Sequence, residues 1–167
     1  MRFQAVGMRG DAGFDSIVGH FQSLGGDCVL LNPGMVAGRD HLLSAASHAE
    51  RSFSEGTNRS NSLLTEIILY AAWERQIGKA LARMRPAEGC REYAAVLVDI
   101  DDPRLGDIGM ERDDSLLECT PEKASALGLD GPFASPEDQA LELVALLEIQ
   151  KARFSGFLCT TYLRPFC

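Results

Sequence analysis

The sequence predicts a single domain of the α/β or α+β class, in which helices pack on a small mixed β-sheet. Three observations lead to this prediction. Short apolar segments typical of strands interleave with longer segments of helical periodicity. The 167 residues are the usual size of one domain. The composition, 46% hydrophobic and 24% charged, is that of an ordinary globular protein.

Three strands are expected, with a weaker fourth. Residues 2–8 form the first strand, and the short apolar run 27–31 forms the second. Residues 92–100 (EYAAVLVDI) make the clearest strand and are apolar enough for the centre of a sheet. A weaker strand is expected near residues 115–118.

Four helical regions accompany these strands, each preceded by a polar residue suited to cap it. They cover 16–24 after Asp15, about 41–54 after Asp40, 61–84 after Ser60 or Asn61, and 136–150 after Ser135. The third region either continues as one helix or bends near Trp73. Residues 1–150 are expected to form the domain, and residues 151–167 (KARFSGFLCTTYLRPFC) form a C-terminal extension.

Several classes of protein are excluded by composition. The sequence contains no run of about 18 apolar residues, so no membrane span is predicted. The N-terminal residues lack the apolar stretch of a signal peptide, which predicts a cytoplasmic protein. Five scattered cysteines without a CxxC pair indicate neither a zinc site nor a disulfide framework, so reduced thiols are expected.

Charge is divided unevenly along the chain. The net charge is −8, but residues 1–91 carry +1, residues 92–150 carry −12 and residues 151–167 carry +3. Any contact with an anion such as nucleic acid is therefore expected on the first half.

Histidines and glycines provide no recognisable site. His41 and His48 are two helical turns apart, too far to chelate one metal alone, and are expected at the surface or in capping positions. Gly7, Gly10 and Gly13 follow a strand but match neither the dinucleotide nor the P-loop pattern, so a glycine-rich turn is expected.

An acidic cluster follows the clearest strand and offers two interpretations. Its members are Asp99, Asp101, Asp102 and Asp107. Carboxylates at the end of a strand can hold magnesium, and Asp99, Asp101 and Asp102 would then serve a small metal-dependent enzyme. A solvated acidic loop is the alternative, because no base, lysine or phosphate-binding loop accompanies the cluster. No catalytic residues, metal site or cofactor are predicted.

The segment 61–81 (NSLLTEIILYAAWERQIGKAL) carries apolar residues on two helical faces. One face contains Leu63, Leu64, Ile67, Ile68 and Ala71, and the other contains Leu69, Trp73 and Ile77. One face would serve the core, so the second requires another partner. Arg75, Lys79 and Arg83 follow at intervals of four and form a basic stripe, with a solvated face as the alternative.

These residues strongly resemble a known family. The run Asn61-Ser62-Leu63, Glu66-Ile67, Arg75-Gln76-Ile77 and Ala80-Leu81 is similar to the kinase-binding subunit of the KEOPS complex, the archaeal counterpart of the human p53-related-protein-kinase binding protein. The resemblance extends over roughly residues 1–150. The chain departs from it at Trp73, where archaeal members often have glycine.

The resemblance implies a non-catalytic accessory subunit. KEOPS makes threonylcarbamoyladenosine in tRNA, and this subunit binds the N-lobe of the complex's kinase/ATPase and recruits the tRNA 3′ CCA end. An aromatic and aliphatic strip suits the kinase, and basic side chains suit tRNA phosphates. The kinase-binding candidates are Leu69, Trp73, Ile77 and Leu81; the tRNA-binding candidates are Arg9, Arg39, Asn61, Arg75, Lys79 and Arg83. A protein adaptor without tRNA binding remains an alternative, because the net charge repels phosphates.

Overall fold

The computed structural model describes the backbone of residues 1–157 and the side chains of residues 1–150. The expected extension 151–167 lies outside these described residues, apart from the backbone of residues 151–157. The strands are β1 (Phe3–Gly10), β2 (Asp27–Leu31), β3 (Glu92–Val98) and β4 (Met110–Arg112). The helices are α1 (Phe14–Ser23), α2 (Arg39–Ser54), α3 (Leu63–Ala71), α4 (Ile77–Met84), α5 (Pro121–Leu127) and α6 (Pro136–Phe157). Short 3₁₀ turns lie at Pro33–Met35, Leu105–Ile108 and Asp114–Leu117.

The four strands form one sheet in the order β2-β3-β1-β4. Every neighbouring pair is antiparallel, so the fold is of the α+β class and the sheet is antiparallel rather than mixed. Val96 of β3 lies opposite both Ala5 of β1 and Val29 of β2. Strand β3 is central, as its sequence predicts, and it is buried from Tyr93 to Val98.

Alternate side chains of the strands face two apolar layers. Ala5, Val29 and Val96 belong to the larger core, which also contains apolar residues of α2, α3, α4 and α6. Their neighbours Val6, Leu30 and Leu97 belong to the smaller core with α1. Because both faces are covered, the strands are apolar on both sides.

The fourth strand is not where the sequence predicts it. Residues 115–118 lie mainly in the 3₁₀ turn Asp114–Leu117, and the strand is Met110–Arg112. The Asp113 side chain accepts a hydrogen bond from the backbone N–H of Ser115. Such a local bond offers the backbone an alternative to a strand ladder.

Three predicted caps are also wrong, and one of them belongs to α3, which begins after Ser62 rather than after Ser60 or Asn61. Helices α1 and α2 begin after Gly13 and Gly38, so Asp15 and Asp40 lie in the first helical turns. The cap at Ser135 is confirmed, because its hydroxyl accepts a hydrogen bond from the Asp138 N–H at 3.1 Å. Across the backbone that the structure describes, no helix combines the length and apolar content needed to cross a membrane.

Candidate docking site on helix α4

The segment with two apolar faces is divided into two helices. Helix α3 ends at Ala71 and α4 begins at Ile77, so the bend near Trp73 is the correct alternative. Trp73 has a φ of +54°, in the left-handed region that favours glycine. Trp73, at the position where the resemblance leads one to expect glycine, is therefore the residue at which the chain turns between the two helices.

The division corrects the location of Leu69. This side chain is completely buried in the larger core and does not share an exposed strip with Ile77. Helix α3 packs against α2, α4, α6 and β2, so it is enclosed on several sides. A helix that is apolar nearly all round is buried. Both apolar faces of residues 63–71 thus serve the core.

Glu66 is the one charged residue that α3 takes into this core. Its Oε2 accepts hydrogen bonds from the Arg59 N–H at 3.0 Å, the Ser60 N–H at 2.9 Å and the Ser60 hydroxyl at 3.0 Å. The Ser52 hydroxyl of α2 donates to Oε1 at 3.4 Å. Sequence reasoning missed this role, although an acidic residue beside the inward-facing Ile67 is a signal for a buried carboxylate that needs donors.

Helix α4 lies nearer the surface than α3. Its buried residues are Ala80 and Met84, whereas Ile77 is 40% exposed and Leu81 is 43% exposed. Two of the four residues predicted to face the kinase therefore lie where a partner can reach them. Large exposed apolar side chains that lie close together are typical of interaction surfaces.

An apolar groove of about 450 Å³ runs along one flank of α4. Its lining residues are Phe14, Leu30, Leu31, Ile68, Gly78, Leu81, Ala82, Met84, Arg85 and Pro86. Phe14, at the start of α1, is 49% exposed on this groove. Its contribution could not be found in the sequence, because Phe14 lies more than 60 positions from Leu81 and only the tertiary fold brings them together. We call this feature the α4 groove.

The opposite flank of α4 is basic. At about 100° per residue, Lys79 and Arg83 lie one turn apart and away from Gly78 and Ala82, which line the groove. Arg75 does not extend this flank, since it precedes the helix and bonds to the side chain of Gln150 on α6. The predicted stripe of three residues is therefore wrong, and a pair remains.

The other tRNA-binding candidates do not join this pair. Arg9 at the end of β1 forms ion pairs with Glu92 and Asp113, both at 2.9 Å. Arg39 lines a different cleft together with several carboxylates, those of Asp114, Glu118 and Glu137. Asn61 is exposed in the loop before α3. Nearby carboxylates thus compete with any phosphate for the two arginines.

His41 lies beneath the surface and contacts the turn between α3 and α4. It is buried, which corrects the expectation of a surface or capping histidine. Its Nδ1 accepts from the Ala37 N–H at 3.1 Å, and its Nε2 donates to the Ala71 carbonyl at 2.9 Å. The ring stacks on Trp73, with centroids 5.0 Å apart and planes at 28°. Trp73 thus faces His41 rather than forming an exposed strip with Ile77.

The buried position of His41 predicts a pH dependence of stability. Burial, aided by the charge of Arg83 and opposed by the bond to Ala71, lowers the pKa of His41 from 6.5 to about 4. Between these two pKa values the imidazole of His41 is protonated in the unfolded chain but neutral in the folded protein. The free energy of unfolding therefore decreases as the pH falls from 6.5 towards 4. From pH 7 to pH 4, denaturant unfolding should show about 3 kcal/mol more loss for the wild type than for His41→Gln. Equal losses in both proteins would contradict this assignment.

His48 also differs from a freely exposed histidine. Its Nδ1 bonds to the carboxylate of Glu148, which joins α2 to α6. Arg51, one turn along α2, lies 3.3 Å from the same carboxylate. This polar cluster ties the last long helix to the core.

The acidic cluster after β3 is held by local contacts. The Asp99 carboxylate accepts from the Arg2 N–H at 2.9 Å, and the Arg2 guanidinium donates to Asp101 at 3.0 Å. Asp102 accepts from the backbone N–H of Arg104 at 3.2 Å. Asp99, Asp101, Asp102 and Asp107 are all exposed. Among the residues whose side chains are described, no three histidine, cysteine or acidic side chains are grouped to hold a metal ion.

The fold and the site define a small α+β protein with an apolar groove beside a basic helix flank. The family model for kinase binding protein CGI-121 matches residues 18–123, which is more than half of the chain. The chain therefore belongs to the CGI-121 family, the KEOPS family that its sequence resembles. A search of curated proteins found no match to the chain.

Proposed function

We propose that this protein is a non-catalytic subunit that binds the kinase/ATPase of the KEOPS complex through the α4 groove. Membership of a kinase-binding family supports the class of partner. The groove supports the location, because Phe14 and Leu81 present large apolar side chains on one concave surface, and the exposed Ile77 lies one helical turn from Leu81. The groove is the observation that carries this proposal.

The energetics of such a surface agree with a docking role. Fully burying a large aliphatic or aromatic side chain contributes about 1.5–3 kcal/mol, and Phe14, Ile77 and Leu81 are 40–49% exposed, so each can add roughly half of that to an interface. Leu69 and Trp73 contribute from beneath α4, as parts of the core on which the helix rests. The strip predicted from sequence thus reduces to Ile77 and Leu81, joined by Phe14.

A calorimetric titration with the KEOPS kinase from the same organism tests this proposal. The double variant Ile77→Glu/Leu81→Glu places two carboxylates in the interface and should weaken binding at least 100-fold. A matched control is Leu146→Glu/Ile149→Glu on α6, whose side chains are 45% and 53% exposed. The control should bind like the wild type. Loss of binding in the control, with full binding in the α4 variant, would place the interface on α6 instead.

We further propose that the basic flank of α4 contributes to tRNA recruitment through the 3′ CCA end. Lys79 and Arg83 lie on the side of α4 away from the groove, so tRNA and kinase do not compete for the same residues. Exposed Asn61 is a third candidate from the sequence prediction. Arg9, Arg39 and Arg75 are weaker candidates, because each already contacts or neighbours other polar groups.

Salt-dependent tRNA binding separates this proposal from that of a pure protein adaptor. Fluorescence anisotropy with labelled tRNA should show weaker binding by Lys79→Glu and a salt slope smaller by about one unit. Arg104→Glu, in the acidic half of the chain, is the matched charge control and should leave the slope unchanged. If the wild-type protein does not bind tRNA, the proposed tRNA recruitment is wrong and only the role of a protein adaptor remains.

A further inference from the structure

Trp73 has two energetically unfavourable features at the turn between α3 and α4. Its φ of +54° is one that bulky L-residues rarely adopt. Its indole Nε1 is buried and has no hydrogen-bond partner among the residues that the structure describes. A glycine would avoid both costs, so the indole must gain something elsewhere in the fold to offset them.

The gain is a stack of three side chains that reaches from the core to α4. His41, fixed by its two backbone hydrogen bonds, lies against the indole at 5.0 Å between centroids. The guanidinium carbon of Arg83 lies over the indole ring, 5.3 Å from its centroid. Such a contact between a cation and an aromatic face is attractive. The edges of Trp73 also pack against two apolar clusters of the core.

Among the residues that the structure describes, helix α4 has few other contacts that hold it in place. It is eight residues long and buries Ala80 and Met84, mainly against α3. The Met84 carbonyl accepts a hydrogen bond from the Asn32 N–H at 2.8 Å, which holds its last turn. Short helices with few buried side chains open more readily than the rest of a fold. A contact that holds the helix against the core therefore has a large effect on its position.

We infer that Trp73 is a positioning residue for the α4 groove: it holds α4 against the core through Arg83 and so fixes the groove walls that Gly78, Leu81 and Ala82 form. Trp73 does this without touching the partner. This inference rests on the proposed function for its consequence, kinase affinity. The anchoring of α4 by Trp73 does not depend on which partner binds the groove.

Three variants test the inference, with two readouts for each. Amide hydrogen exchange is measured in α4 and, as an internal reference, in α2; kinase affinity is measured by calorimetry. Trp73→Gly relieves the backbone strain but removes the stack, so exchange in residues 77–84 should quicken at least tenfold while that of α2 stays unchanged. Kinase affinity should fall at least tenfold. Trp73→Phe keeps an aromatic face and should stay within threefold of the wild type in both readouts. Arg83→Met should quicken exchange in α4 as Trp73→Gly does.

Several results would overturn the inference. One is a Trp73→Gly protein with wild-type exchange in α4, or with wild-type affinity despite faster exchange. Another is faster exchange in α2 and α4 alike, which would make Trp73 a general core residue. A Trp73→Phe protein as impaired as Trp73→Gly would also contradict it. If the wild type itself does not bind the kinase, the proposed function fails, while the exchange measurements still decide whether Trp73 anchors α4.

Discussion

Replacing Glu66 with alanine is expected to lower the free energy of unfolding by about 4 kcal/mol, and the unfolding midpoint by roughly 10 °C. The substitution removes a buried acceptor from the backbone N–H groups of Arg59 and Ser60 and from the Ser60 hydroxyl. Buried donors that lose their acceptor bear the full cost of desolvation. Thermal and denaturant unfolding of the purified variant measure the effect.

Two variants serve as controls: one separates the hydrogen bonds of Glu66 from its charge, and the other measures the effect of removing an exposed carboxylate. Glu66→Gln keeps one acceptor oxygen in place and should lose less than half as much stability as Glu66→Ala. Glu55→Ala, at an exposed position beyond the end of α2, should change stability by no more than about 0.5 kcal/mol. If Glu66→Ala were as stable as Glu55→Ala, the carboxylate would not hold the loop before α3.

Gly7→Ala is expected to cost a similar amount, about 4 kcal/mol, through steric overlap rather than a lost acceptor. A Cβ at this position in β1 would lie 2.0 Å from the Asp113 carbonyl oxygen and 3.2 Å from Cβ of Leu116. The contact is between two backbones that are also joined by hydrogen bonds: the Asp113 N–H donates to the Gly7 carbonyl at 2.8 Å, and the Gly7 N–H donates to the Asp114 side chain at 3.0 Å. The 3₁₀ turn would have to leave the sheet. Denaturant unfolding measures the loss.

Gly19→Ala is the matched control for this prediction. Gly19 lies within α1, and a Cβ there has no neighbouring atom within 4 Å. Alanine forms helices better than glycine by about 1 kcal/mol, so this variant should be more stable than the wild type. Equal effects of the two glycine substitutions would contradict the close approach at Gly7. The same contact explains why Gly7 belongs to the packed strand β1, within the strand predicted over residues 2–8.

Much of the fold could be predicted from local sequence pattern. Strand β3 is apolar on both faces over 92–98, and this pattern placed it at the centre of the sheet, where it lies. Ser135 and Pro136 predicted the start of α6 from cap chemistry alone. Strand β4 has three residues, too few to produce an alternating pattern, and so it was not found.

The docking site could be predicted only in part, for a physical reason. Periodicity in residues 63–71 shows that two faces are apolar, but it does not say whether protein or solvent lies beyond each face. Leu69 is buried because four elements surround α3, which is a property of the tertiary fold. Ile77 and Leu81 are exposed because α4 has few neighbours among the described residues, and their role in docking stays a prediction. Phe14 lines the groove, which the sequence did not predict because its partners there lie far away in the chain.

The family resemblance of residues 61–81 and the structure of this segment give complementary information. The residues from Asn61 to Leu81 pointed to a kinase-binding family, and the family match confirms it. The bend at Trp73 then separates the part of this segment that forms the core from the part that forms the surface. Within the family motif, Glu66 stabilises the loop and Leu81 lines the groove. The segment 61–81 thus contains residues with different physical roles.

Hydrogen-exchange mass spectrometry of the protein with and without the KEOPS kinase tests the central claim most directly. We predict slower exchange on binding in α4 and in the first turn of α1, which together contribute Leu81 and Phe14 to the groove. The acidic segment 101–107, whose aspartates are exposed, should exchange at the same rate in both samples. Protection confined to α6 or to the acidic segment, with α4 unchanged by a bound kinase, would contradict kinase binding through the α4 groove.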